Sequence, residues 1–303
     1  MDYLKRHVLA SVPALLVISR YLATQLDGVE ENELQRVLRP TAMAETRGVS
    51  SAGDDPSSVL TSSLSVGEDL GLFDSERGGR GRRIWKLTDS IRGEVGPLPS
   101  ADSRVFRSLV LRLLSSRALE EVRAGNKPSD VALALTWILL RDPLEPLSVN
   151  WDKGPETAFE KAGMRNAVEN VEQWGAFRRW IRSLGIATVA QVGRQDAYLL
   201  VDPTRALLDV LDRLPQQERA EQWFRQLHEI LPVLGHPALI SALPQGSVRP
   251  QGISASVALA AQKLKRRGIL DLAPSADAST AAVLRIGDQS WRIGQVFVAE
   301  VAA

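Results

Sequence analysis

Between residues 76 and 83 the chain reads Glu-Arg-Gly-Gly-Arg-Gly-Arg-Arg, which crowds Arg77, Arg80, Arg82 and Arg83 into a glycine-rich stretch. Glycine lets a backbone approach a ligand closely, and guanidinium groups make charge-assisted hydrogen bonds to phosphate oxygens. The chemistry on offer is the holding of a phosphate backbone. A solvated turn is the plainer use of the same residues, because glycine and arginine are both common there. Two more cationic clusters follow: Arg178, Arg179 and Arg182, then Lys263, Lys265, Arg266 and Arg267. The first suits DNA, acidic groups on a protein partner, or a solvated helix face. The second closes a helix, where positive charge also complements the helix dipole. Ser57, Ser58, Thr61 and Ser62, followed by Ser65, supply hydroxyls that can meet phosphates or base edges without selecting a base. Ser57 also suits a helix cap.

Catalytic chemistry leaves no comparable mark. The Arg-Gly-Gly-Arg-Gly turn lacks the Lys-Ser/Thr ending of a phosphate loop, and neither HExxH nor GxSxG occurs. Cysteine is missing altogether, and the histidines, His7, His228 and His236, are scattered. Adjacent acids at Glu30-Glu31, Asp54-Asp55 and Glu120-Glu121 need not converge on one substrate, and solvation is the simpler use of them. A site assembled from distant carboxylates would be invisible at this level. The expectation is a noncatalytic protein with no cofactor and no metal.

The cationic clusters lie within a repeating pattern of helix, glycine and hairpin. In the first unit, Leu15, Ile18 and Leu22 keep helical spacing, and a second helix covers residues 29–38. A polar stretch runs over residues 41–55. Pro56 and Ser57 open a third helix with Leu60 and Leu64 on one face and Ser58, Ser62, Ser65 and Asp69 on the other. Gly71 stops it, and a hairpin follows whose tip is the arginine-glycine stretch and whose return strand is residues 84–88. The second unit repeats the junction: Phe177, Trp180, Ile181 and Leu184 form an apolar face, Gly185 ends the helix, and residues 186–201 read as a hairpin. In the third, a helix bearing Val257, Ala261 and Leu264 runs to Gly268, with strands around the loop at residues 274–280. The glycines are unequally spaced, which favours separate modules over a solenoid, with a helical stretch at residues 106–142 added between the first two. Residues 96–100, Gly-Pro-Leu-Pro-Ser, suit a boundary. Trp85, Trp137, Trp180, Trp223 and Trp291 fall on apolar faces as core anchors; Trp151 and Trp174 have no clear place.

A chain of 303 residues, 44% apolar and 24% charged, can bury a core in two or three domains. Its formal net charge of +1 does not announce a nucleic-acid partner, so that case rests on local clustering. The lack of cysteine fits a reducing compartment. The apolar run at residues 8–18 follows Lys5 and Arg6 as in a short signal peptide, but it contains Pro13 and lacks a clear cleavage site, and it reads as a buried first helix. No segment approaches the ~20 apolar residues of a membrane span. A cytoplasmic protein with no membrane partner is expected.

The successions at residues 56–88, 177–201 and 254–293 resemble the winged-helix superfamily. That resemblance implies a three-helix core with a β-hairpin wing, the third helix entering the major groove and the wing touching the backbone. The implied fold is mainly α with small β-hairpins (α+β): tandem winged-helix modules, three in number, plus the inserted helical stretch. The modules would cover residues 1–95, with the basic wing, then 101–212 and 213–303. The implied DNA-binding residues are the four groups of hydroxyls and cations named above. In overall layout the chain is similar to DpdG proteins, which accompany bacterial 7-deazaguanine DNA-modification and restriction clusters, and this implies a phage-defence setting. The expected function is noncatalytic binding of double-stranded DNA, with other subunits of a defence complex as further partners. A winged-helix protein-interaction scaffold and a transcriptional repressor stand as alternatives.

Overall fold

The computed structural model describes residues 1–38, 56–78, 82–95, 103–193, 196–245, 247, 252–275 and 281–299, without the side chains of residues 56–58. Arg80, Asp54, Asp55, the polar stretch at 41–55 and the expected boundary at 96–100 lie outside the described residues. Among the described residues the fold is mainly helical with three small antiparallel sheets, an α+β arrangement.

After the short helix α1 (Tyr3–Arg6), α2 (Val12–Ala23) begins at Ser11, whose Oγ accepts the Ala14 N–H at 3.4 Å, with Pro13 in the first turn. Proline is tolerated there because its missing N–H has no partner to lose. The apolar run therefore is a buried helix, with Leu15, Ile18 and Leu22 inside. Strand β1 (Val29–Glu30) leads into α3 (Glu31–Leu38), then come α4 (Pro56–Asp69) and the hairpin of β2 (Phe73–Arg77) and β3 (Arg83–Leu87). The sheet order is β1-β3-β2, so the short early strand adds to the return strand of the hairpin, with Val29 opposite Trp85.

Helices α5 (Asp89–Val95) and α6 (Arg104–Arg123) connect to a second run in the same order. It consists of α7 (Asp130–Leu140), β4 (Leu147–Ser148), α8 (Pro155–Lys161), α9 (Val171–Ser183), β5 (Ala187–Val192) and β6 (Asp196–Val201), with sheet order β4-β6-β5. The third run holds α10 (Thr204–Leu208), β7 (Gln217–Arg219), α11 (Ala220–Ile230), α12 (Pro237–Ser241), α13 (Ala255–Arg266), β8 (Leu270–Pro274), β9 (Ala282–Ile286) and β10 (Gln289–Val298). The order β7-β10-β8 repeats the pattern again, and β9 is an addition that pairs with the first half of β10.

The three glycines end their helices by one mechanism. Gly71, Gly185 and Gly268 have φ of 73°, 73° and 70°, where a Cβ is unfavourable. Each time the next residue donates its N–H five residues back: Leu72 to Gly67 O at 2.8 Å, Ile186 to Ile181 O at 3.0 Å, Ile269 to Leu264 O at 3.0 Å. This is the Schellman pattern, which turns the chain sharply into a strand. The same three residues then accept the chain returning from the hairpin, from the N–H of Thr88, Asp202 and Ala299.

Buried polar contacts tie the runs together. The Asp130 carboxylate, fully buried, accepts N–H bonds from Tyr3 at 2.7 Å, Leu4 at 2.9 Å and Lys5 at 3.1 Å. Arg107 on α6 pairs with buried Asp209 just beyond α10. Ser256 Oγ on α13 donates to Leu139 O on α7 at 2.5 Å. Trp151 and Trp174 join Trp137, Phe159 and Phe177 in one aromatic cluster, as core residues. Among the described residues no helix is long and apolar enough to cross a membrane.

Candidate nucleic-acid interface

The cations singled out in the sequence face different circumstances. On the first hairpin, Arg82 Nη1 lies 2.9 and 3.0 Å from the two carboxylate oxygens of Glu30 on β1. Arg83 Nη2 holds both oxygens of Glu68 on α4, at 2.9 and 2.7 Å, while its Nε donates to Ser75 Oγ and its guanidinium lies 4.3 Å from the Trp85 ring centroid. Lys86 is paired with Glu76. Arg77 is exposed and has no partner among the described residues. The described part of this basic hairpin is therefore largely neutralised by its own module. On α4, Thr61 is exposed and Ser62 and Ser65 are half-buried; Ser57 and Ser58 occupy its first turn. The C-terminal end of α4 is closed by Tyr3, whose hydroxyl donates to Asp69 at 2.7 Å, and by Arg117.

Helix α13 is enclosed. Ser256, Val257, Ala258, Ala260, Ala261 and Leu264 are all buried, between α7, α10, β8 and β9. Its cations gather at the last turn. Lys263 donates to Asp202 at 2.6 Å and, with Thr204, holds that carboxyl below its ordinary pKa against the opposing effect of burial. Lys265 donates to Leu272 O. Arg266 and Arg267 are exposed and unpaired among the described residues. The exposed residues of this helix lie at this end, while Leu259 and Gln262 in its middle are half-buried.

Helix α9 differs from both. Trp174, Phe177, Trp180 and Ile181 fill its inner face, and Glu172, Gly175, Arg178, Arg179 and Arg182 form the outer stripe at helical spacing. No carboxylate among the described residues comes within ion-pair distance of the three arginines. Arg179 Nη2 donates to Val8 O at 2.7 Å, which fixes the stripe beside the start of α2. Arg178 is half-buried with its Nε unsatisfied. Burial, followed by the like charges of Arg182 and Arg179, lowers its pKa. A guanidinium does not deprotonate in a protein, so Arg178 keeps its charge there.

Exposed cations that were not singled out from the sequence include a pair on the third hairpin. Arg285 on β9 and Arg292 on β10 are exposed on the same face of the third hairpin, since Arg285 opposes Ser290 and Arg292 opposes Val283. The signal was alternation: each arginine sits between two apolar neighbours that point to the core. A cleft of about 420 Å³ is lined by Met1, Ser65, Glu68, Asp69, Gly71 and Arg117. Its two acids are occupied by Arg83, Tyr3 and Arg117. Among the described residues no three His, Asp or Glu side chains gather as a metal site.

Comparison with known protein families matches the DpdG-like family over residues 1–278. The chain belongs to the DpdG-like family. Membership fits the setting of a bacterial DNA-modification system, as the overall layout implied. Comparison with curated proteins and with solved structures finds no match.

Proposed function

We propose that the chain is a noncatalytic tandem winged-helix protein that binds duplex DNA as one component of a bacterial DNA-modification and restriction system. The observation that carries this reading is the sheet order β1-β3-β2, repeated as β4-β6-β5 and β7-β10-β8. Each time, a short strand set between two helices joins the return strand of the hairpin that follows the helix closed by Gly71, Gly185 or Gly268. That is the arrangement that presents a helix and a wing to a duplex. Membership of the DpdG-like family supplies the DNA-modification setting. Contact is mainly with phosphates and depends little on sequence, since most hydrogen bonds that proteins make to DNA run to phosphate and sugar and the hydroxyls of α4 select no base.

A protein-interaction scaffold is the second reading, favoured by the enclosure of α13 and by the internal pairing of Arg82 and Arg83. The two separate in one experiment, in which the purified protein competes for duplex DNA, single-stranded DNA and RNA, with ATP and with magnesium or manganese present. Preferential duplex binding without DNA cleavage or ATP hydrolysis supports the proposal. Failure to bind any of the three moves the scaffold ahead, and turnover abolished by one acidic substitution in this chain overturns the noncatalytic assignment.

A further inference from the structure

Glycine inside a helix is destabilising relative to alanine, so a helical glycine calls for a local reason. Gly67 in α4 has one, because a Cβ there would stand 2.2 Å from the Phe73 ring. Gly175, in the second turn of α9, has none among the described residues, as is also true of Gly93 in α5. A Cβ at Gly175 would meet only Arg179 Nη1, at 3.9 Å. The space the missing side chain leaves open lies on the outer stripe, within one turn of Arg178 and Arg179 and two turns of Arg182.

We propose that the outer stripe of α9 is the principal DNA contact of this protein, with the sugar-phosphate backbone of a duplex approaching over Gly175 and its phosphates taken by Arg178, Arg179 and Arg182. This rests on the DNA-binding reading and locates it in the second unit instead of on the basic first hairpin. The charge argument and the glycine argument are independent. The arginines lack carboxylate partners among the described residues, whereas Arg82 and Arg83 have them. The glycine leaves room that no described residue fills. Arg179, tethered to Val8 O, has a fixed direction before binding, which lowers the entropy lost on contact. Arg182 is exposed and supplies the mobile end of the cluster.

The test uses Gly175→Ala, Gly175→Leu and Arg182→Ala, with duplex binding by fluorescence anisotropy and thermal melting on the same preparations. Gly175→Ala removes a helix-interior glycine into open space, and the melting temperature is expected to rise by about 2 °C. The same variant is expected to bind duplex DNA roughly fivefold more weakly, and Gly175→Leu more than tenfold more weakly, as the added side chains hold the backbone off. Arg182→Ala should reduce the slope of log affinity against log salt by about 0.9, one phosphate contact. A gain in stability with a loss of binding is an outcome that a purely structural glycine does not produce. Wild-type binding retained in both Gly175 variants, or an unchanged salt slope in Arg182→Ala, overturns the assignment to α9. Absence of duplex binding by the wild-type protein instead refutes the DNA-binding reading on which it rests.

Discussion

Acid should destabilise this protein through His228. Its ring lies against Gly235, where even a Cβ would stand 3.0 Å from Nε2, and that nitrogen is buried without a hydrogen-bond partner among the described residues. Burial, and then the nearby charge of His236, lower its pKa from 6.5 to about 4. In the unfolded chain the imidazole takes up its proton near pH 6.5; in the folded chain it resists until about pH 4. Between those values the unfolded state binds more protons, so stability falls as pH falls, by up to about 1.4 kcal/mol per pH unit. The accumulated loss by pH 4 is about 3 kcal/mol, or some 5 °C in melting temperature for a chain of this size. Stability attributable to this group is fully present above pH 6.5 and is lost as pH falls through the folded value. The assay is thermal melting of wild type and His228→Leu from pH 7.5 to pH 4. The quantity read is the difference between the two curves, in which other titrating groups cancel. The variant, with no imidazole to protonate, should gain on the wild type by about 3 kcal/mol across that range. A difference that stays flat with pH would refute the burial argument.

Gly67→Ala should cost about 2 kcal/mol, because its Cβ must displace the Phe73 ring, whereas Gly71→Ala, strained but in open space, should cost about 1 kcal/mol; denaturant melts of the two compare them. Asp130→Ala leaves the N–H groups of Tyr3, Leu4 and Lys5 without their acceptor, and the first residues should undock at a cost of about 3 kcal/mol, read as faster tryptic cleavage after Lys5 and Arg6. An unchanged cleavage rate would show that the carboxylate does not hold that segment. Replacing Glu30 and Glu68 together by Gln frees Arg82 and Arg83 from exposed ion pairs each worth about 0–1 kcal/mol, and duplex affinity should rise roughly threefold or more with a steeper salt dependence. No change would mean that the first hairpin takes no part in binding.

Much of the fold was legible because its punctuation is local. Gly71, Gly185 and Gly268 each follow an apolar helical face and precede β-branched or aromatic residues, and each does join a helix to a strand. The opening helices of the second and third units were harder to read. Helix α7 is buried on all sides, so its apolar run has no polar face to give a period, and it read as part of an inserted stretch. The third unit draws its opening helix, α10, from residues before 213. Strands β1 and β4 are two residues long, below any alternation. Trp151 and Trp174 needed the tertiary aromatic cluster to be placed. At the candidate interface the cations were visible and their circumstances were not. Arg82 meets Glu30 from 52 residues away, and α13 is enclosed by elements scattered along the chain. Sequence favoured the first hairpin for its density of arginine, whereas geometry favours α9, whose arginines have no carboxylate within ion-pair distance among the described residues.

The most direct test of duplex binding is a salt titration of the purified wild-type protein on a duplex of arbitrary sequence. Contact through Arg178, Arg179 and Arg182 predicts binding that weakens with salt along a log-log slope of about −3, with the first hairpin adding to it. The same slope should hold on an unrelated sequence, because phosphates carry no base identity. Absence of binding at low salt, or binding indifferent to salt, would contradict the account.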